Sequence, residues 1–164
     1  MSEPLMLRDE AATRRLGAAL ARHCPWSMPG ARCVFLSGEL GAGKTTLISA
    51  LLAACGVRET VRSPTYSLIE VYAFDARVGV HLDLYRLHGA GELEQLGLRD
   101  YLHDGALLLV EWPEQGRAQL PRPDLWLQLW AQEPGRRCRL TAHSAAGECW
   151  LAELPGESLR SEGA

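Results

Sequence analysis

The stretch Cys33–Leu47, CVFLSGELGAGKTTL, decides the reading of this chain. Val34-Phe35-Leu36 is a short apolar run of strand type, and apolar residues at helical spacing follow the glycines. Between them, Gly38-Glu39-Leu40-Gly41-Ala42-Gly43-Lys44-Thr45 satisfies G-x-x-x-x-G-K-[ST] at every fixed position. Such a loop wraps backbone N–H groups around a phosphate chain at a helix N-terminus, where the helix dipole favours negative charge. Gly38, Gly41 and Gly43 permit backbone angles and a close approach that a Cβ would block. Lys44 is expected to reach the β- and γ-phosphates, and the Thr45 hydroxyl to hold Mg²⁺. Glu39, Leu40, Ala42 and Thr46 complete the expected nucleotide-binding set.

Lys44 is the only lysine in the chain, beside sixteen arginines. Where a compact ammonium must sit inside a loop of N–H groups, a planar guanidinium does not fit. The bias towards arginine therefore stops at the one position where its chemistry fails.

At 164 residues, one domain is expected, large enough to bury roughly two thirds of its unfolded surface. An apolar content of 47% with 23% charged residues is that of a soluble globular protein. A net charge of −3 argues against a free-standing nucleic-acid binder, so contact with RNA would come through a partner or a local patch. Five cysteines without a C-x-x-C pair make neither a disulfide framework nor a zinc site. With no basic-then-apolar start and no membrane-length apolar run, the expected location is the cytoplasm.

Residues 9–23 read as a helix, with Asp9 as N-cap and Ala12, Leu16, Ala19 and Leu20 near one face. A second helix is expected over Thr46–Cys55, stopped by Gly56. Leu68–Tyr72 and Val78–Asp83 are strand-like, and a turn near residues 75–77 makes them an antiparallel pair. Short helices are expected over Gly91–Leu96 and Arg99–Leu102. Ala106–Val110 is the most apolar run, as a strand buried on both faces should be. Leu125–Trp130 and Arg137–Thr141 form an expected hairpin around Pro134-Gly135, followed by a short helix over Glu148–Leu154. The ordered core should span about residues 5–156, with a frayed tail from Pro155 onward. Strands and helices alternating around a phosphate loop imply an α/β sandwich with a mixed sheet.

Hydrolysis of a bound nucleotide needs carboxylates beside the metal and the attacking water, and in such folds these stand at C-terminal strand ends. Asp83 closes Val-His-Leu-Asp and Glu111 closes the buried Leu-Leu-Leu-Val-Glu run. Either acid fits the metal-ligand role or the water-positioning role; the other reading of each is a solvated strand-end residue. Thr65, in Ser63-Pro64-Thr65, occupies the place of a switch loop whose hydroxyl meets metal or γ-phosphate; the other reading is an ordinary proline turn. Trp112 belongs either to the core or beside the nucleotide. Tyr66, Tyr72 and Tyr85 read as packing or interface residues and His81 as structural. Arg86 either neutralises phosphate or pairs with an acid.

Together these blocks resemble the TsaE (YjeE) family of bacterial tRNA threonylcarbamoyladenosine biosynthesis. The resemblance rests on Gly38–Leu47, Ser63-Pro64-Thr65-Tyr66-Ser67-Leu68, His81-Leu82-Asp83-Leu84-Tyr85-Arg86-Leu87, Glu92–Gly97, Arg99-Asp100-Tyr101 and Glu111-Trp112-Pro113-Glu114. It runs from about residue 9 to 156, departing mildly at Glu39 (usually Asp) and Leu82 (usually aromatic). The resemblance implies a P-loop NTPase-like three-layer sandwich with a mixed parallel/antiparallel sheet. It implies a Mg²⁺-dependent ATPase, weak alone, that docks on the TsaD and TsaB partners and resets their complex between turnovers without being the transferase. It also implies that Lys44 and the loop amides hold ATP or ADP phosphates, that Thr45 and Glu111 bind metal, and that Asp83 organises metal or water. Thr65 would then belong to the switch loop, and Thr13 would approach the nucleotide. Contact with tRNA would be mainly indirect.

Two other classes compete. A small-molecule P-loop kinase should show a substrate-binding insertion and an arginine-bearing lid, whereas residues 91–105 are short and mostly acidic or apolar. A nucleotide-dependent scaffold would bind ATP and hardly hydrolyse it; slow basal turnover does not separate it from a partner-activated ATPase.

Overall fold

The computed structural model describes residues 3–156. In chain order it contains β1 (Leu5–Leu7), α1 (Glu10–Arg22), β2 (Arg32–Ser37), α2 (Lys44–Cys55), β3 (Ile69–Phe74) and β4 (Arg77–Asp83). There follow α3 (Ala90–Gln95), β5 (Ala106–Glu111), β6 (Leu125–Gln132), β7 (Gly135–Ala142) and α4 (Ala145–Glu153), with 3-10 turns at Leu98–Tyr101 and Pro113–Gln115. The strands form one seven-stranded sheet in the order β1-β7-β6-β2-β5-β4-β3. β6, β2, β5 and β4 run parallel to their neighbours, while β3 pairs antiparallel with β4, and β7 antiparallel with both β6 and β1.

The period-2 geometry of strands separates this sheet's side chains into two cores. Val34 and Leu36 of β2, with Leu107 and Leu109 of β5, join Leu16, Leu20, Leu47, Ile48, Leu51 and Trp150 beneath α1, α2 and α4. The alternate residues Cys33, Phe35, Leu108 and Val110 pack with Val80, Leu82, Leu93 and Leu98 on the other face. Both faces of β5 are therefore covered, which is why all six of its residues are apolar or buried. The result is the expected α/β three-layer sandwich with a mixed sheet.

Most expected elements are present, with local differences. α2 begins at Lys44, two residues before the expected start, because the glycine loop itself winds into the first helical turn from Gly43 in the left-handed region (φ 102°). Gly56 ends that helix, also left-handed, as anticipated. Asp9 caps α1 by accepting from the Ala12 N–H at 2.7 Å. α4 starts at Ala145, earlier than Glu148, because Ser144 caps it through the Gly147 N–H at 3.0 Å. β1 was not anticipated: a strand of 3 residues is too short to show a period, and pairing of Leu5 with Cys138 creates it. Of the frayed tail, only Pro155 and Gly156 fall within the described residues. The cysteines are free thiols. Among the described residues no helix is long and apolar enough to cross a membrane.

Candidate functional site

The parallel strands β2, β5 and β4 end side by side, and the register aligns Leu36 with Glu111 and Glu111 with Asp83. The loop leaving β2 therefore opens beside two neighbouring carboxylates. A cavity of about 590 Å³ lies there, lined by Leu40, Gly41 and residues 43–46 of the loop, by Ser63 and Thr65, by Asp83, Tyr85 and Arg86, by Glu111 and Trp112, and by Arg136.

Lys44 is 4% exposed and folds back onto its own loop, donating to the carbonyls of Gly38 (2.6 Å) and Glu39 (2.9 Å). Its ammonium also lies 4.3 Å from the centroid of the Trp112 ring, a cation–π contact. Burial lowers its pKa from the ordinary 10.5, and the carboxylates of Glu111, Asp83 and Glu114 oppose that shift. Trp112 reaches this position because its backbone is left-handed (φ 57°), turning the chain sharply out of β5 into Pro113. A non-glycine residue in that region costs on the order of 1–3 kcal/mol. Tyr85 packs against the same ring at a 44° tilt, with centroids 4.9 Å apart.

The Glu111 carboxylate is buried and held twice through one oxygen. The Thr45 hydroxyl donates to its Oε1 at 2.8 Å, and His81 Nε2 lies 2.9 Å from the same atom. An ionised carboxylate only accepts, so this network assigns the proton of His81 to Nε2. Its buried Nδ1 has no hydrogen-bond partner among the described residues. Asp83 accepts from the Tyr85 N–H at 3.0 Å and from the Ser63 hydroxyl, whose oxygen also lies 3.1 Å from Thr65 Oγ1. The Ser-Pro-Thr segment is thus tied to Asp83 through Ser63, with Thr65 one bond further out.

Among the described residues, no three His, Cys, Asp or Glu side chains form a metal cluster. A cation that keeps several waters and borrows phosphate oxygens needs only one or two protein carboxylates, which is the habit of Mg²⁺. Thr45 and Glu111, already 2.8 Å apart, with Asp83 as register neighbour, make a fitting oxygen donor set.

Lys44, Thr45, Thr65, Asp83, Glu111 and Trp112 all come together at this cavity, as do Leu40, Gly41, Gly43 and Thr46. Gly38 and Glu39 serve through their carbonyls on Lys44, while Ala42 is buried beneath the loop. Thr13 is buried in α1 with its hydroxyl on the Asp9 carbonyl at 3.3 Å, and it is not among the residues lining this cavity. His81 touches Glu111 and so does more than fill the core. Tyr72 is a packing residue, whereas Tyr66 is 87% exposed and carries the Arg86 guanidinium 4.8 Å from its ring centroid. Two site residues were not foreseen. Ser63 stood inside a recognised block but was not singled out, and Arg136 arrives from β7, 92 positions beyond Lys44, with no local sequence signal.

The mixed sheet, with a glycine loop between its central strand and a helix, defines a P-loop NTPase-like fold. The chain's comparisons with known proteins make that class specific. Residues 7–138 match the family model "Threonylcarbamoyl adenosine biosynthesis protein TsaE", and the chain belongs to the TsaE family. It is 40% identical over 115 residues to the tRNA threonylcarbamoyladenosine biosynthesis protein TsaE of Haemophilus influenzae, covering 70% of this chain and 73% of that one. The protein of the same name from Bacillus subtilis is 39% identical over 117 residues, covering 71% and 68%. The crystal structure of Bacillus subtilis YdiB superposes with a TM-score of 0.75 at 25% identity, covering 96% of this chain and 98% of that one.

Proposed function

We propose that this chain is an ATP-binding and ATP-hydrolysing accessory protein of tRNA N6-threonylcarbamoyladenosine modification, acting in the cytoplasm on TsaD and TsaB partners. The observation that carries the reading is the convergence of Lys44, Thr45, Asp83 and Glu111 on one cavity at the end of β2. In a TsaE-family chain, that cavity is where a nucleoside triphosphate would be read.

On this reading Lys44 exchanges its two carbonyl partners for phosphate oxygens, a trade of neutral acceptors for charged ones. Mg²⁺, when bound, supplies neutralisation of the phosphate charge and an ordered set of waters. Thr45 and Glu111 would hold that cation, with His81 Nε2 on the same Glu111 oxygen, Oε1, as the Thr45 hydroxyl. Asp83 would orient the metal or the attacking water, and Ser63 links Asp83 to Thr65 in the switch segment. Hydrolysis is expected to be slow alone and faster with partners, since a partner-supplied group can be worth ~10³–10⁵ in rate. The protein resets the partner complex between turnovers and does not itself transfer the threonylcarbamoyl group.

The test is reconstituted threonylcarbamoylation of tRNA with TsaD, TsaB and ATP, run with this chain, without it and with Lys44→Ala. A single turnover that ignores the chain, and multiple turnover that needs the unaltered protein, are expected. Sustained turnover with Lys44→Ala, after verified loss of ATP binding, would overturn the proposed ATP cycle.

A further inference from the structure

A histidine stands where the sheet's own packing asks for an apolar residue. In β4, His81 lies between Val80 and Leu82 and is 0% exposed. It is in register with Leu109 of β5, so period-2 alternation puts His81, Leu109 and Glu111 on one face of the two strands. Leu109 belongs to the core beneath α1 and α2, and Thr45 stands in the first turn of α2. Glu111 is therefore met by Thr45 from the helix and by His81 from the neighbouring strand. Both meet the same oxygen, Oε1, at 2.8 Å and 2.9 Å. The other oxygen, Oε2, accepts from no donor among the described residues, and it is not sealed from solvent as His81 Nδ1 is. An orphaned buried polar atom such as Nδ1 costs stability that an apolar side chain would not. Interior packing gives no reason for the ring; the bond to Oε1 does.

We propose that His81 is a positioning residue for the metal site, its Nε2–H holding Oε1 of Glu111 so that Oε2 is the oxygen presented to the nucleotide's divalent cation. The proposal rests on the nucleotide-binding reading above. The last torsion of a glutamate is broad and roughly two-fold, so an untethered carboxylate offers either oxygen in many orientations. Hydrogen bonds from two sides to one oxygen remove that freedom before the cation arrives. Thr45 has a second task on this reading, because its own oxygen is a cation ligand. His81 has none, and its bond to Oε1 persists with or without the cation. Outer partners of this kind orient a metal ligand, and loss of one costs roughly 10–100-fold in metal affinity.

The experiment measures binding of Mn²⁺, which takes the same oxygen ligands as Mg²⁺, to the ADP-loaded protein by electron paramagnetic resonance. Binding of ADP without metal is measured beside it by titration calorimetry. His81→Leu and His81→Met both remove the donor at similar volume, and His81→Gln keeps an N–H near the place of Nε2. The donor-free variants should lose Mn²⁺ affinity by ~10–100-fold and keep metal-free ADP affinity within about twofold. His81→Gln should recover most of the lost Mn²⁺ affinity. Unchanged Mn²⁺ affinity in a folded donor-free variant overturns the proposal. So does an equal loss of metal-free ADP binding, which would make His81 a support of the whole site. Mn²⁺ binding as weak in His81→Gln as in His81→Leu overturns it too, as does failure of both donor-free variants to fold. Each of these failures leaves ADP binding to the unaltered chain in place. Absence of that binding is a different failure, because it removes the proposed function and the positioning role with it.

Discussion

Two buried carboxylate clusters sit at opposite ends of the parallel strands, and they differ in what is left open. At the N-terminal end, Asp124 accepts from the Cys33 N–H at 2.8 Å and from the Ser144 hydroxyl at 2.5 Å, with Arg32 Nε 4.0 Å away. Its own N–H is bonded to the Cys33 carbonyl and its carbonyl to the His143 N–H. These bonds turn Asp124 inward, joining β2, β6 and α4. At the C-terminal end, Glu111 and Asp83 are as deeply buried, yet their partners are two hydroxyls, a histidine and the Tyr85 N–H, and the cluster faces a cavity. Burial and polarity are the same; closure is not. A closed cluster holds the fold, and an open one with exchangeable hydroxyl donors can take a cation and a phosphate.

The sharpest way to break this contrast is Glu111→Gln. The variant keeps an acceptor for Thr45 and His81 and removes the charge that would face a cation. ATP hydrolysis should fall ~10²–10³-fold, the loss typical of one electrostatic group at a reacting centre. The melting temperature should stay close to that of the unaltered chain, and ADP binding without Mg²⁺ should persist. Turnover near the original rate, with partners present, would move Glu111 into the same structural class as Asp124.

Asp124→Ala should do the reverse. It strands the Cys33 N–H and leaves Arg32 without its nearby charge, so unfolding free energy in urea should drop by about 2–4 kcal/mol. Affinity of the remaining folded protein for ADP should not change. A loss of affinity at unaltered stability would show that the two ends communicate, and the contrast would fail.

Alkaline pH separates the ends by sign. Burial pushes the thiols up from an ordinary value of 9.0: Cys55 to about 11, Cys138 to about 12, and Cys33 well upward with help from Asp124. Below pH ~9 these thiols are neutral folded or unfolded, and the stability is fully present. Above it the unfolded chain ionises first, so stability declines as pH rises, by about 1.4 kcal/mol per unit for each thiol. Cys33→Ala should remove one such share from the slope in urea titrations at pH 9–10.5. At the cavity the shift runs downward: Lys44 gives up its proton below 10.5. ADP affinity should therefore decline with rising pH in Cys33→Ala as well. If the variant abolished that decline, the thiol and not Lys44 would be its source.

The open cluster was legible in the sequence because its acids follow apolar runs. In a parallel strand an acid after the run stands at the C-terminal end, as Asp83 and Glu111 do, and Glu111 lies in register with both Leu36 and Asp83. The glycine loop, the lone lysine and the helix stop at Gly56 were legible for the same reason, since each is fixed by its own neighbours in sequence. Arg136 and β1 were not. Each exists only through a partner far along the chain, Ala42 for one and β7 for the other. His81 looked structural because a histidine within a strand carries no mark of the carboxylate it will meet on the next strand. Ser63 was hidden by Thr65, which shares its block and is the more familiar type of switch residue.

Ser63 therefore gives the smallest and finest test. Its hydroxyl links Asp83 to Thr65, so it belongs to the open cluster only if that link reports the cavity's state. Ser63→Ala removes one neutral-to-charged hydrogen bond, worth ~0.5–1.5 kcal/mol net when the freed carboxylate regains water. Asp83 keeps its bond from the Tyr85 N–H, so folding should hardly change. The expected result is a ~2–10-fold rise in the Mg²⁺ concentration needed for half-maximal hydrolysis, with ADP affinity in the absence of metal unchanged. Ser63→Thr, which restores the hydroxyl, should recover the original requirement. A structural hydroxyl of the Asp124 kind would instead lower the unfolding free energy and leave the metal requirement where it was.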